Sequence, residues 1–419
     1  MLGIKPYKNL IRLIKDFKYK EGVFVLGASL FTKVCSFLVS LILIRILSPN
    51  EFGTLSYALS ALAFFIPFSG GGIQHSFMRF APMISLPDKR EDLFKHSFYR
   101  GLLFSAVIAL LMFLLMPWLN RALDNTSDLF YWLIIYLFSF FVIEIVKTRY
   151  RVNHQNRKYA SIDVYTSGSV LLLGVGLAYF YGAVAFVIVF VSTPLLIGLF
   201  HVKLKGGGEP KIPVKYYSYG MWVGVGAIAS QLMYSLDVFL VGNMIQDSTQ
   251  VAIYRSASII PIALFFIPNS YITTHYADLA KNSHDKAFLI SFAKDYIKLF
   301  SILILVLGAS LYFLSDLIIT LLFGQEYIEA ASLFKILILG MVGAFILRIP
   351  FGNLLAAVGK SNWNAVVAFT ILGLNGVLNY FAINAWGIVG AAIVTSALLW
   401  ISGIISFLLF VRYLKRINS

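Results

Sequence analysis

The chain of 419 residues is 59% hydrophobic and only 13% charged, with a mean hydropathy of +0.83 and a formal net charge of +15. Soluble proteins carry roughly 25% charged residues, so this composition indicates an integral membrane protein without a large soluble domain. The one cysteine, Cys35, excludes an internal disulfide and a thiolate metal site.

The first predicted element is a basic amphipathic helix before the first apolar run. Its apolar side chains share one helical face, and lysines and arginines occupy the others; the apolar members are Leu10, Ile11, Leu13, Ile14 and Phe17. Such a helix lies in the plane of the membrane surface. The apolar run that follows, 22–46, is longer than the core of a cleaved signal peptide, so we expect the N-terminus to be retained.

Apolar runs long enough to cross a bilayer predict twelve spans, read as helices because open sheets cannot satisfy their backbone in lipid. They cover 22–46, 54–78, 98–119, 129–147, 161–181, 183–201, 216–241, 250–274, 296–323, 331–357, 363–384 and 386–411. Alternate loops hold 28 of the 34 lysines and arginines. By the positive-inside rule, these loops and both termini face the cytoplasm.

A Gly- and Pro-containing segment near the midpoint, "HVKLKGGGEPKIPVK", divides six spans from six. We therefore expect an N-terminal lobe over 1–205, a cytoplasmic linker over 206–215 and a C-terminal lobe over 216–419. The stretch "FFIPFS" at 64–69 recurs as "FFIPNS" at 265–270, in the second span of each half. This echo favours two parallel repeats, an arrangement found in several transporters.

Ionisable side chains inside the spans are the candidate functional residues, because each costs about 2.5–3.5 kcal/mol to insert. They are Lys33, Arg45, His75, Glu144, Asp163, Asp237, Arg255 and Arg348. The cationic surplus suits an anionic substrate. Other interpretations stay open: Arg45 and Glu144 could reach the interface, Asp237 with Arg255 could be a structural ion pair, and His75 could be a packing residue.

Five stretches in order resemble a known family: "RILSPNEFGTLSYALS", "FSGGGIQHSFMRFAP", "SLDVFLVG…VAIYRSAS", "LLFGQEYIEAASLFKILILG" and "NGVLNYFAINAWGIVGAAIVTS". They are similar to the polysaccharide transporter (O-antigen flippase, Wzx-like) branch of the multidrug/oligosaccharidyl-lipid/polysaccharide (MOP) exporters. Two departures are Ala252, where glycine is usual, and the missing proline before the last Gly-x-x-Gly. The resemblance implies an all-α, MATE-like fold: about twelve helices in two six-helix lobes around a central cationic cavity.

The resemblance further implies a flippase of the bacterial inner membrane. It would move undecaprenyl-pyrophosphate-linked oligosaccharide, a repeat unit of O-antigen, capsule or exopolysaccharide, to the outer leaflet by alternating access. We expect Lys33, Arg45, Arg255 and Arg348 to contact the pyrophosphate, and Asp237, His75 and Glu144 to act in gating or ion pairing. Neither catalysis, metal, cofactor nor nucleic acid is expected. The expected partners are this substrate and membrane lipid; a coupling ion, H+ or Na+, and polysaccharide-assembly proteins are left open.

Three alternative functions fit the sequence less well than this flippase. A cation-coupled multidrug or small-molecule exporter of the same fold would usually need intramembrane acids, whereas the buried surplus here is positive. The lipid II flippase of cell-wall synthesis usually has two further spans. A membrane-bound glycan polymerase or acyltransferase usually has a large outer loop, and the longest outer loop predicted here is short, 119–128.

Overall fold

The computed structural model describes residues 22–124, 126–204, 207–209, 212–232 and 235–417. Every regular element in this part of the chain is a helix, as expected where backbone polar groups must be satisfied within lipid. The predicted all-α membrane architecture is confirmed. The predicted amphipathic N-terminal helix and residues 205, 206, 210 and 211 of the lobe boundary and linker lie outside the described residues.

The described residues form sixteen α-helices: α1 Gly22–Ile46, α2 Pro49–Leu62, α3 Ile73–Phe80, α4 Pro87–Leu119, α5 Ser127–Val152, α6 Asn156–Ser169, α7 Val175–His201, α8 Tyr216–Leu232, α9 Leu236–Ile245, α10 Ser248–Leu264, α11 Phe266–Lys281, α12 Lys286–Phe313, α13 Ser315–Leu322, α14 Ala330–Gly343, α15 Ile349–Ala357 and α16 Ser361–Arg416. Short 3-10 or π-helical segments join some of them: Ile66–Gly72, Ala81–Met83, Val170–Gly174, Gln325–Tyr327 and Ala344–Arg348.

Nine helical stretches in the described part of the chain are long and apolar enough to cross a membrane. Two of them, Asn156–His201 and Ser361–Arg416, reverse at Gly182 (φ 74°) and Gly387 (φ 57°), so each holds two of the predicted spans. The remaining predicted span, 216–241, falls on α8 and α9, the latter a shorter apolar helix. The chain is thus a multi-pass membrane protein with about the predicted number of spans.

The structure divides the chain into two compact units. Unit 1 comprises the described parts of Met1–Ile46, Phe64–Pro117 and Ser127–Ala227, and unit 2 those of Leu47–Ala63, Trp118–Thr126 and Ile228–Ser419. The units therefore differ from the predicted lobes at two segments, 47–63 and 118–126, which come from the N-terminal half but belong to unit 2. The lobe boundaries at 205 and 216 stay a prediction.

The stretch "SPNEFG" begins α2 in unit 2. Ser48 caps the helix and Glu51 completes a capping box, since each side chain bonds the other residue's backbone N–H at 3.3 Å. Pro49 takes the first helical position, where its missing N–H costs nothing. A Cβ on Gly53 would lie 1.7 Å from the backbone oxygen of Ser248, so this glycine is required for the close packing of α2 against α10.

The second predicted span is broken between α2 and α3. Gly70, Gly71 and Gly72 have φ values of 70°, 60° and 70°, a left-handed backbone that other residues rarely adopt. A Cβ on Gly72 would lie 2.0 Å from the backbone oxygen of Gly220, so α8 crosses closely here in unit 1. The three glycines therefore form a packed, left-handed break in the predicted span.

Candidate functional site

A buried carboxylate that has no cationic partner among the described residues marks the candidate site in unit 2. Asp237 lies in the first turn of α9 and is 4% exposed. Its Oδ1 accepts hydrogen bonds from the side-chain amides of Asn375 and Asn379, both at 2.9 Å. Its Oδ2 accepts from the hydroxyls of Tyr254 at 3.0 Å and Thr395 at 2.5 Å. All four donors are neutral, so they solvate the charge without cancelling it.

Two helices, α10 and the two arms of α16, bring these donors together. Asn375 and Asn379 are four residues apart on the first arm of α16, which places both on one helical face. Thr395 follows the reversal at Gly387 and approaches from the second arm, while Tyr254 comes from α10. Asn375, Asn379 and Tyr254 are at most 5% exposed, so the site is formed deep within unit 2.

The amide oxygens of Asn375 and Asn379 are buried and have no hydrogen-bond partner among the described residues. Such orphaned acceptors are costly in a low-dielectric interior. Rotating each amide by 180° exchanges the positions of its nitrogen and oxygen. The rotated amides would join the Asp237 carboxylate and the Thr395 hydroxyl in an oxygen cage, the ligand type that hard cations prefer.

The carboxylate lies at the edge of a largely apolar pocket of about 680 Å³, a volume that includes open solvent at its mouth. Asp237, Tyr254, Ser258, Asn375 and Thr395 supply its polar groups. The other lining residues are Pro261, Ile262, Phe265, Leu337, Ile371, Leu372, Leu398 and Leu399. A few convergent polar groups in an apolar cavity are typical of a small-ligand site.

An ion pair between Asp237 and Arg255, one of the interpretations that the sequence leaves open, does not occur among the described residues, where Tyr254 donates to the carboxylate instead. Adjacent residues on a helix point about 100° apart, so only one of the two can face Asp237. Arg255 is half-exposed on α10, and its guanidinium makes no hydrogen bond or ion pair within the described part of the chain.

The four predicted anion-contacting residues are divided between the units. Lys33 and Arg45 lie exposed on α1 of unit 1. Arg255 and Arg348 belong to unit 2 and are half-buried. Arg348 ends the π-helical segment after α14, and its Nη1 donates to Oδ1 of Asn364 at 2.8 Å. Their contact with a pyrophosphate stays a prediction.

The other two predicted residues lie in unit 1. Glu144 on α5 pairs with Lys147 at 2.7 Å, and Lys147 also pairs with Asp163 of α6 at 2.8 Å. His75 on α3 is half-buried and within electrostatic range of Glu144. Lys147, at the end of the predicted span 129–147, lies inside α5 between two carboxylates.

Sequence reasoning missed the partners of Asp237 and of Lys147. The i, i+3 spacing of Glu144 and Lys147 predicts a helical ion pair and could have revealed that contact. The i, i+4 spacing of Asn375 and Asn379 in an apolar span was a similar signal. No group of three or more His, Cys, Asp or Glu that could hold a metal ion occurs among the described residues.

Comparison with known proteins identifies the family. Residues 42–332 match the family model described as "Polysaccharide biosynthesis protein". The chain belongs to this family. A protein of Shigella flexneri named "Putative O-antigen transporter" is 28% identical over 180 residues, which cover 43% of this chain and only 42% of that protein. An uncharacterized membrane protein of Methanocaldococcus jannaschii is 24% identical, and the aligned region covers 84% of this chain and 77% of that protein.

Solved structures of similar fold are exporters and flippases by their titles. A lipid II flippase, MurJ, in an inward closed conformation has a TM-score of 0.73 at 14% identity. The superposition covers 94% of this chain and 90% of the MurJ chain. An inward-facing multidrug resistance MATE family transporter of the MOP superfamily has a TM-score of 0.74 at 13% identity, covering 94% and 98%. The predicted MATE-like fold is therefore confirmed. The predicted relationship to polysaccharide proteins is confirmed by the family match.

Proposed function

We propose that this protein flips a polyprenyl-pyrophosphate-linked oligosaccharide across the bacterial cytoplasmic membrane by alternating access, coupled to a monovalent cation at Asp237. Membership of the polysaccharide biosynthesis family and the name of the Shigella relative support the cargo class. The observation that carries the coupling is the buried Asp237 carboxylate, which has four neutral donors and no cationic partner in the described part of unit 2.

The pyrophosphate would be held by cations of the spans, of which Arg255 is the strongest candidate. Its half-buried guanidinium, with no hydrogen bond or ion pair to another described residue, is available for an anion. Arginine binds phosphate oxygens through a planar fork of N–H donors, and such bonds are stronger than neutral ones. Arg348, already oriented by Asn364, would be a second contact.

The coupling cation would enter the oxygen cage as transported cargo and not as a resident metal. With the amides rotated, their two oxygens would coordinate sodium beside the carboxylate, and their NH2 groups would take the positions where the oxygens now lie. A proton would instead neutralise the Asp237 carboxylate and leave both amides as they are. Sodium binding therefore requires the amides of Asn375 and Asn379 to rotate, whereas protonation requires them to stay as they are.

Flipping in proteoliposomes tests the proposal. A fluorescent short-chain polyprenyl-pyrophosphoryl disaccharide is followed from one leaflet to the other under an imposed Na+ or H+ gradient. We expect the favoured gradient to accelerate wild-type flipping, Asp237→Asn to abolish that acceleration, and Asp316→Asn to leave it intact. Asp316 is the matched control, an exposed acid of unit 2 that pairs with Lys335 at 3.4 Å. Gradient-stimulated flipping in Asp237→Asn would refute the coupling site.

One observation favours a second candidate, export of amphiphilic cations, since a single carboxylate beside an apolar pocket suits a hydrophobic amine. The same vesicles loaded with ethidium separate the two. Transport of the dye without flipping of the lipid-linked disaccharide would make this candidate the function.

We also propose that both termini face the cytoplasm. The cation bias of the loops supports this orientation. Reporter fusions at the C-terminus test it: we expect a fluorescent protein to fold there and an alkaline phosphatase to stay inactive, and the reverse pattern would overturn the orientation.

A further inference from the structure

One face of α5 in unit 1 combines aromatic and charged side chains that the proposed coupling site does not use. Tyr136, Phe140, Glu144 and Lys147 recur at helical spacing, so they lie in one row along the helix. Each of the four is partly exposed. We call Tyr136, Glu144 and Lys147, together with Asp163 of α6, the α5 polar face.

The aromatic end of this face is held rigidly. The ring of Tyr136 stacks on Phe190 of α7 with centroids 4.5 Å apart and planes inclined by 14°. A ring fixed in this way loses little conformational freedom when a ligand packs against it. It thus offers a flat, amphipathic surface with a hydroxyl at its edge.

The charged end is acceptor-rich and carries a net negative charge. Lys147 is bridged by Glu144 at 2.7 Å and Asp163 at 2.8 Å, and its side chain is only 12% exposed. The carboxylate side chains are more accessible, at 32% for Glu144 and 24% for Asp163. Because two carboxylates share one lysine, this cluster repels a pyrophosphate and favours a neutral ligand that donates hydrogen bonds.

The charged cluster bridges two helices where the predicted span 129–147 ends and the next, 161–181, begins. Glu144 and Lys147 occupy the last turn of the first span, and Asp163 lies in the first turn of the second. Charged groups inside a span avoid lipid and face the interior or a water-filled path. One turn after Asp163 on α6, the hydroxyl oxygen of Thr166 is buried and has no partner among the described residues, a further polar group of this face that lacks a partner.

We propose that the α5 polar face binds the sugar residues of the lipid-linked cargo and so contributes to glycan selection. An apolar face of a sugar ring would pack on Tyr136, and its hydroxyls would donate to Glu144 and Asp163. Hydrogen bonds to charged acceptors are stronger than neutral ones, and a site built for hydroxyls rejects ligands that lack them. This inference rests on the proposed function, because it takes the cargo to be a glycan.

Binding to the purified full-length protein tests it. The probes are farnesyl pyrophosphate and three farnesyl-pyrophosphoryl disaccharides, built from hexose, N-acetylhexosamine and deoxyhexose. In the wild type we expect at least one disaccharide to bind at least tenfold more tightly than farnesyl pyrophosphate. Tyr136→Ala and Glu144→Gln should each reduce this gain about tenfold while leaving the Kd for farnesyl pyrophosphate within twofold.

Two comparisons make the result specific. Glu91→Gln breaks a different ion pair of α5, that of Glu91 with Arg149 at 2.6 Å, and should change neither affinity. Tyr136→Phe keeps the stacked ring and should retain most of the sugar gain. If no disaccharide binds more tightly than farnesyl pyrophosphate in the wild type, or if Glu144→Gln weakens both ligands equally, the inference is overturned. If the wild type binds none of the four, the proposed function itself fails.

Discussion

The charge of Asp237 can be removed with almost no change of shape, by Asp237→Asn. In the absence of a coupling cation, we expect this variant to be as stable as the wild type or more stable. A buried charge without a counter-ion costs several kcal/mol of desolvation, which the four neutral hydrogen bonds offset only in part. Asparagine keeps an acceptor for the amides and carries no charge.

Added cation should reverse this order. A ligand that binds only the folded protein stabilises it by about 2.7 kcal/mol at a concentration of 100 times its Kd. If Na+ is the coupling ion, the apparent Tm of the wild type should therefore rise by a few degrees when NaCl replaces choline chloride, and Asp237→Asn should not respond. Asp316→Asn should respond like the wild type, since its acid is exposed and remote from the cage.

Thermal unfolding followed by fluorescence in detergent, with ionic strength held constant, measures both expectations. A sodium-dependent rise of equal size in Asp237→Asn would refute the assignment of the site. A wild type that ignores Na+ but is stabilised as the pH falls, with Asp237→Asn insensitive to pH in the same range, would assign the site to a proton.

Three further substitutions have predicted outcomes. Gly70→Ala should severely lower the yield of folded protein, because φ is 70° and the new Cβ would lie 2.1 Å from a buried phenylalanine ring. Gly176→Ala is the control: its new Cβ would meet no atom within 4 Å, so the yield of folded protein should not change. Arg255→Gln should weaken binding of farnesyl pyrophosphate at least tenfold by isothermal titration, with partial rescue by lysine, and unchanged affinity would remove Arg255 from the anion site. Tyr57→Phe should destabilise unit 2 by about 1–2 kcal/mol by losing a buried hydrogen bond of 3.1 Å to a backbone carbonyl, and an unchanged midpoint of denaturation would contradict this.

The spans and their number follow from hydropathy alone, because every backbone polar group in lipid must be bonded within a helix. The N-terminal cap of α2 can also be predicted from the sequence, since Ser48, Pro49 and Glu51 make local contacts within four consecutive residues. The partners of Asp237 were not predicted. Asn375 and Thr395 are 138 and 158 residues away, and a single sequence carries no information on which helical faces meet over such distances.

The sequence could not decide whether Asp237 pairs with Arg255 for a related reason. Asp237 and Arg255 carry opposite charges in neighbouring spans, and such charges attract each other. The rotation of α10 about its axis, however, decides whether residue 254 or 255 faces α9. That rotation is set by close contacts such as Gly53 against Ser248, where α2 packs on α10. Segment 47–63, which supplies α2, joins unit 2 although its neighbours in sequence lie in unit 1.

The charges of the two units suggest how transport could be driven. Unit 1 carries the carboxylates of Glu144 and Asp163, which are proposed to accept hydrogen bonds from sugars. Unit 2 carries Arg255 and Asp237, which are proposed to bind the phosphate and the coupling cation. Outward movement of the pyrophosphate anion and inward movement of a cation each make the cytoplasmic side more positive. An inside-negative potential assists each by about 2.3 kcal/mol per charge per 100 mV. The two movements are therefore driven in the same sense, and coupling them in exchange needs no nucleotide.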